Sequence, residues 1–175
     1  NHRNEIGDGI METASGGGLS IFGSQVVKEM NRLKMVIDVS HLSEKGFWDV
    51  ISLSEHPIIA SHSNAAALCA HPRNLTDDQI KAIGEKKGII GINFYPSFLS
   101  DDKAGVDDII RHIEYIAALT SVDVVGFGSD FDGIDSLPID IGGPQDFPVI
   151  IERLLKLNYK DEDIRKIMYK NYLRV

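Results

Sequence analysis

Short aliphatic runs alternate with amphipathic stretches along most of this chain. Runs rich in Val and Ile that are bounded by turn-forming residues are typical of buried parallel strands. Four such runs are predicted strands: 35–40, 58–61, 88–95 and 122–128. The stretches between them carry apolar residues at helical spacing, and we predict helices that begin near Ser24, Ser43, Thr76 and residue 106. Strands that alternate with helices predict an α/β fold with a parallel sheet and right-handed crossovers.

The number of strand–helix units sets the fold class. Four units are half of a (β/α)₈ TIM-type barrel, which needs about 250 residues. A small open doubly wound sheet has the same local pattern and stays open as an alternative. We expect residues 1–175 to form a single domain that is the C-terminal part of a barrel, with 1–23 as a Gly-rich loop segment. The absence of an initial Met predicts a piece of a longer protein.

Composition excludes several classes of partner. The 175 residues carry a formal net charge of −8, which argues against nucleic acid as a partner because phosphate binding needs a basic face. No apolar stretch approaches the roughly 18 residues of a membrane span, so we expect no membrane partner. The single cysteine, Cys69, allows no internal disulfide and is typical of a reducing compartment. We therefore expect a cytoplasmic protein.

Two histidines follow neighbouring predicted strands, at the point where each strand ends. His41 closes MVIDVSH and His62 lies in PIIASHSN. Neutral imidazole is the commonest zinc ligand, and adjacent parallel strands lie about 4.8 Å apart, so both rings can reach one ion. Alternatively, each ring only hydrogen-bonds its own loop. Zinc also takes three or four protein ligands, and two histidines make an open site. His112 lies in a charged helix and is predicted to be solvated.

A carboxylate and a guanidinium complete the candidate chemistry. Asp130 lies in GFGSDFDG after the fourth strand, a run that fits neither a dinucleotide fingerprint nor a calcium loop. Its carboxylate is suited to orient or deprotonate a metal-bound water. The alternative is a purely structural role, in which the side chain only stabilises a turn. Arg73 follows His62 by 11 positions, and its planar guanidinium is suited to bind a substrate carboxylate in bidentate fashion.

Together these motifs resemble those of the membrane (renal) dipeptidase family of zinc metallopeptidases, in its bacterial branch. The resemblance covers almost the whole chain. It is carried by IDVSHLS (37–43), ASHSNA (60–65), PRNLTDD (72–78), INFY (92–95) and GFGSDFDG (126–133).

The resemblance implies a fold, a reaction and residue roles. The family folds as a distorted (β/α)₈ barrel, holds two zinc ions bridged by a glutamate, and cleaves dipeptides, often with a D-residue at the C-terminal side. It implies that His41 and His62 ligate the second zinc. It also implies that Arg73 receives the carboxylate of the dipeptide substrate and that Asp130 carries the proton.

This chain departs from the family pattern before His41. The His-x-Asp motif and the bridging glutamate of the first zinc are not found there. The sequence therefore predicts a C-terminal portion that binds zinc weakly and has no measurable dipeptidase activity alone. Two alternatives remain. One is another binuclear metal hydrolase of the amidohydrolase type, acting on amides or lactones. The other is a non-catalytic barrel fragment, whose open edges pair with a second copy as a homodimer or with the missing N-terminal half.

Overall fold

Four parallel strands form one sheet whose spatial order follows the chain. The computed structural model describes residues 1–175, apart from the side chain of Thr13. The strands are β1 (Ile37–Asp38), β2 (Ile58–Ala60), β3 (Ile89–Ile92) and β4 (Val125–Phe127), in the order β1-β2-β3-β4. A doubly wound sheet reverses its strand order at a switch point, and this sheet has none. The fold is therefore an α/β fold with a parallel sheet, consistent with half of a barrel.

Helices connect the strands and follow the last one. Their bounds are α1 Ile21–Leu33, α2 Glu44–Leu53, α3 Asp77–Glu85, α4 Pro96–Leu99, α5 Val106–Leu119, α6 Phe147–Lys156, α7 Asp161–Arg165 and α8 Asn171–Arg174. Three short 3-10 turns lie at Ile10–Ser15, Val122–Val124 and Pro144–Asp146, and a π-helical turn at Lys166–Lys170 joins α7 to α8. None of the helices in the described part of the chain is long and apolar enough to cross a membrane.

Side-chain caps begin the first three helices. The predicted caps are confirmed for α2, where the Ser43 hydroxyl accepts from Gly46 N, and for α3, where Thr76 and Gln79 form a capping box. The prediction for α1 was wrong, because Ser20 rather than Ser24 caps it and the helix begins at Ile21. Ser20 is extended and its backbone N–H is held by the Ile6 carbonyl, which fixes the chain for helix entry.

The apolar core lies between the sheet and the helices. Alternate strand residues such as Ile90 and Val125 pack against helix residues such as Ile109 and Ile113, and all four are almost fully buried. These residues belong to the main apolar core. The side chains that alternate with them therefore lie on the other, concave face.

The concave face holds a tyrosine from the last helix. A Cβ added to Gly126 would lie 2.6 Å from the Tyr172 ring, and one added to Gly91 would meet the Tyr172 hydroxyl. That hydroxyl donates to the Ser61 carbonyl at 3.5 Å, and burial raises the pKa of Tyr172 to about 12. The two glycines thus leave room for one aromatic ring beneath the strand end that carries His62.

The prediction that His112 is solvated was wrong. Its ring is fully buried, with Nδ1 accepting from Ala65 N at 3.1 Å and Nε2 donating to the Leu99 carbonyl at 3.0 Å. The residue is three positions after Ile109 and four before Ile116, so it belongs to the apolar face of α5. The imidazole joins the loop after β2 to α4, and its burial lowers its pKa.

Candidate active site

The carboxyl ends of β1 and β2 bring two imidazoles into contact. His41 Nε2 lies 2.7 Å from His62 Nε2, and the ring centroids are 4.7 Å apart. The strands are hydrogen-bonded neighbours, so residues that follow each strand end emerge side by side. The pairing predicted from the two strand ends is therefore present in the structure.

Hydrogen bonds on the far side of the His62 ring determine which nitrogen carries the proton. The Ser61 hydroxyl donates its only hydrogen to Asp38 Oδ2 at 2.5 Å and lies 2.7 Å from His62 Nδ1. Since that hydrogen is already used, Ser61 Oγ accepts from His62 Nδ1–H. His62 Nε2 is then left with a lone pair, which points at His41.

His41 reaches the same state through a different partner. Its Nδ1 lies 2.6 Å from Asn1 Oδ1, and a carbonyl oxygen only accepts. His41 Nε2 therefore also presents a lone pair to His62. Two lone pairs that face each other repel, and a cation ligated by both nitrogens relieves that repulsion, so this donor pair fits a metal ion in its chemistry.

Electrostatics keep both rings neutral near pH 7. Burial, reinforced by the Arg73 guanidinium, lowers the pKa of His41 to about 4. The same two causes lower the pKa of His62, while the Asp130 and Asp38 carboxylates oppose the shift. Neutral imidazole is the form that ligates a metal, so the rings hold the required protonation state without one.

Asp38 anchors the loops that follow both strands. Its Oδ1 accepts from Ser40 N at 3.1 Å and from Ser61 N at 3.0 Å. Burial by itself would raise the pKa of Asp38, but the hydrogen bonds from Ser61 and Ser40 outweigh it and lower the pKa. The residue is thus a carboxylate that accepts and cannot donate.

Arg73 is buried against the backbone of the two histidine loops. Its guanidinium donates to the Ser40 carbonyl and, at 3.2 Å, to the His62 carbonyl, and it lies 5.8 Å from the Phe98 ring centroid. A guanidinium has five N–H donors, so these two bonds leave others for a ligand. The side chain predicted to bind substrate therefore also holds the two loops together.

Asp130 follows β4 in a left-handed conformation that is uncommon outside glycine. Its φ is 63°, and its Oδ2 accepts from Asn93 Nδ2 at 3.1 Å. Asn93 is fully buried, and two 3.0 Å bonds lock its backbone to the Asn64 amide. The Asp130 charge opposes the lowering of the pKa of both His62 and Arg73, so it acts on the same site.

Two other side chains of a metal-ligating type lie apart from this pair. Cys69 is directed to the Ser97 carbonyl at 3.3 Å, and the His71 ring packs 4.3 Å from the Phe98 ring. Across the residues that the structure describes, no three His, Cys, Asp or Glu side chains group as a metal site. The site in this chain is therefore two imidazoles with their supporting residues.

Sequence reasoning missed three of those supporting residues. Asp38, Ser61 and Asn93 were not proposed, although they hold His62 and Asp130. A usable signal was present, because Asp38 and Asn93 each interrupt an otherwise apolar strand run, and such residues need a buried partner.

A parallel β/α sheet with paired imidazoles at its carboxyl ends is typical of the metallopeptidase and amidohydrolase class. Within that class, residues 1–175 match the model of the membrane dipeptidase family (peptidase family M19), and the chain belongs to this family.

Similar proteins support this assignment. An uncharacterised protein from the pqqA 5′ region of Klebsiella pneumoniae is 40% identical over 185 residues, covering 100% of this chain and 68% of that protein. A metallopeptidase from Rhodobacter sphaeroides, crystallised with a phosphinate mimic of the dipeptide L-Ala-D-Ala, is 39% identical with a TM-score of 0.84, over 89% of this chain and 45% of that one. An amidohydrolase from Pseudomonas aeruginosa is 30% identical with a TM-score of 0.91, over 99% and 61%. The chain thus spans about half of these solved structures.

Proposed function

We propose that this chain is part of a zinc-dependent dipeptidase. The observation that carries the proposal is the facing pair of Nε2 atoms on His41 and His62, which lie 2.7 Å apart while an oxygen contacts Nδ1 of each ring. Family membership supports a metal-dependent hydrolase, and the dipeptide mimic bound to the Rhodobacter protein supports the substrate class. We also propose that residues 1–175 are a single domain within a longer barrel.

His41 and His62 are the residues that would hold the metal. When bound, zinc polarises a carbonyl and lowers the pKa of a water so that it can attack at neutral pH. Two imidazoles fall short of the three or four ligands of such a site. We propose that the remaining ligands, and a second zinc ion, belong to the part of the relatives' length that this chain does not span.

The other site residues would bind the substrate and move a proton. The unused N–H donors of Arg73 would receive the C-terminal carboxylate of a dipeptide in bidentate fashion. Asp130 would accept the proton released from water and return it to the leaving amine. Its hydrogen bond from Asn93 and its fixed backbone keep the carboxylate at the strand end where these groups meet.

An assay with two lengths of protein tests the proposal. The protein spanning the full length of its relatives should hydrolyse L-Ala-D-Ala when zinc is present, and a chelator should abolish turnover. Residues 1–175 alone should bind zinc weakly and show no measurable turnover. Activity that survives chelation, or no activity on any dipeptide, contradicts the proposal. Asp130→Asn provides the matched variant, which should lose turnover and keep zinc.

A second candidate is an amidohydrolase acting on cyclic amides or lactones. The structural similarity to the Pseudomonas amidohydrolase, with a TM-score of 0.91, favours it. Arg73→Lys distinguishes the two, because a lysine keeps the charge and loses the bidentate fork. A dipeptidase should then show a raised KM for substrates with a free carboxylate, whereas a lactonase should not.

Self-association is the remaining partner proposal. The outer edges of β1 and β4 have no strand neighbour within the sheet, and open edges favour pairing with another chain. Light scattering of residues 1–175 should show a dimer. A monomer across a tenfold range of concentration contradicts this.

A further inference from the structure

We propose that Asp38 and Ser61 are positioning residues that hold His62 as its Nδ1–H tautomer, which keeps the lone pair of Nε2 directed at His41. The inference deepens the proposed function and rests on it, because the lone pair has a use only if a metal is bound there. It concerns this chain's own side chains, and it can be tested without a metal.

The Ser61 hydroxyl is the element that can act in two ways. It lies 2.7 Å from His62 Nδ1, and a hydroxyl can either donate to that nitrogen or accept from it. If it donated, the ring hydrogen would move to Nε2 and occupy the position that faces His41. The direction of this one hydrogen bond therefore decides whether His62 can act as a ligand through Nε2.

Asp38 sets that direction. Its Oδ2 takes the Ser61 hydroxyl hydrogen at 2.5 Å, while its Oδ1 is held by Ser40 N and Ser61 N. The Asp38 carboxylate accepts all three of these hydrogen bonds and has no hydrogen of its own to donate. The Ser61 hydroxyl must therefore be the donor. The carboxylate thus controls His62 Nε2 from the opposite side of the ring, through one hydroxyl.

The neighbouring groups do not compete with this arrangement. Ser40 Oγ already accepts from His62 N at 3.0 Å and lies 3.3 Å from Ser61 Oγ. Its hydrogen can go to Ser61 Oγ or to the Asp38 carboxylate, and neither use makes Ser61 a donor to His62. The Tyr172 hydroxyl lies below and is directed at the Ser61 carbonyl rather than its side chain.

Asp38→Asn reverses the arrangement at nearly constant shape. The amide oxygen can still accept from the two backbone N–H groups, but its NH₂ now donates to Ser61 Oγ. The Ser61 hydrogen then turns to His62 Nδ1 and forces the Nε2–H tautomer. Ser61→Ala instead removes the partner of Nδ1, so the ring should lose its preference, and Ser61→Thr should restore it.

Nitrogen-15 NMR of the metal-free chain at pH 8, with labelled histidine, identifies the tautomer through two-bond couplings. We expect Nδ1–H for His62 in the native chain and in Ser61→Thr, and Nε2–H in Asp38→Asn. Asp49→Asn is the matched control, since Asp49 also accepts a backbone N–H, from Leu19, but contacts neither histidine. If Asp38→Asn does not fold, Ser61→Ala decides the question. The proposal is overturned if the His62 tautomer is unchanged in Asp38→Asn, or in Ser61→Ala where Asp38→Asn does not fold. It is also overturned if His62 carries its hydrogen on Nε2 in the native chain.

Zinc titration separates this proposal from the proposed function. Loss of a supporting partner typically lowers metal affinity by about 10–100-fold, and we expect that loss for Asp38→Asn. A native chain with the Nδ1–H tautomer that binds no zinc would contradict the metal function and leave the positioning role standing. Equal zinc affinity in both chains, despite an inverted tautomer, would overturn the positioning role alone.

Discussion

The two ends of the sheet use polar side chains in opposite ways. At the amino ends of the strands, amides and cations donate to backbone carbonyls at or just before the strand starts. These contacts are Asn31 to Leu53, Lys86 to Ser54, Asn171 to Val122 and Val125, and Arg174 to Lys87, Gly88 and Asp123.

At the carboxyl ends, side chains also hydrogen-bond to other side chains. Asp38, Ser61 and His62 form one chain of hydrogen bonds, and Asn93 and Asp130 form a second. The Nε2 atoms of His41 and His62 face each other. In β/α folds the carboxyl face carries chemistry and the amino face carries stability. The difference teaches that polar residues at the two ends of one sheet have separable roles, so substitutions at the two ends should affect different measurements.

The largest expected effect comes from the carboxyl end. His62→Ala removes one of the two candidate ligands, so zinc affinity should fall by more than about 100-fold, the upper end for loss of a mere supporting partner. The melting temperature should change little because the ring is only half-buried. Calorimetric titration with zinc of the protein that spans the full length of its relatives is the measurement, with exposed His56→Ala as the control. Unchanged zinc affinity would contradict the assignment of ligand binding to the carboxyl end of the sheet.

The second effect comes from the amino end. Asn171 is 3% exposed and donates to the Val122 and Val125 carbonyls at 2.8 and 2.7 Å. Asn171→Ala removes both hydrogen bonds, although the Val122 carbonyl keeps its bond from Val125 N. The free energy of unfolding should fall by about 1–3 kcal/mol, with zinc binding by the folded chain unchanged. Denaturant titration measures this, and Leu173→Ala, at an 80% exposed position of the same helix, is the control. A loss of zinc affinity in folded Asn171→Ala would show that the two ends are coupled.

The third effect is a pH dependence from the core. Burial lowers the pKa of His112 below its ordinary 6.5, so the folded state resists a proton that the unfolded chain takes up. Stability is therefore complete above pH 6.5 and declines as the pH falls from there towards the folded-state pKa. His112→Gln should be less stable at pH 8 but flatter between pH 7 and 5, by chemical denaturation. His56→Gln is the reference variant. If the stability of His112→Gln depends on pH as steeply as that of the native chain, the pH dependence arises from another group.

The smallest effect is expected from a surface ion pair that belongs to neither end. Arg32 and Glu29 approach to 2.6 Å, but their side chains are 67% and 54% exposed. Arg32→Ala should leave the free energy of unfolding almost unchanged because water screens the pair. Thermal unfolding at low and high salt measures this. A loss of stability as large as that of Asn171→Ala would show that this ion pair on α1 contributes to the fold.

Local pattern predicted the elements well where one side of an element is apolar. Helix α5 spans Val106–Leu119, the range expected from its spacing, and the capping box of α3 is present. The predicted strand 122–128 is shorter, because Val122–Val124 forms a 3-10 turn before β4. Periodicity reports burial, and a buried turn of three residues has the same apolar signal as a strand.

Sequence alone determined the order of strands and helices, the family, and the positions of His41 and His62 at strand ends, because these depend on local spacing and motif. Only the tertiary structure decided which atoms meet. The Nε2 pair, the use of Ser61 by Asp38, and the burial of His112 arise between residues 21 to 47 positions apart. A hydrogen-bond partner is selected by distance and direction in space, and one sequence contains no record of either.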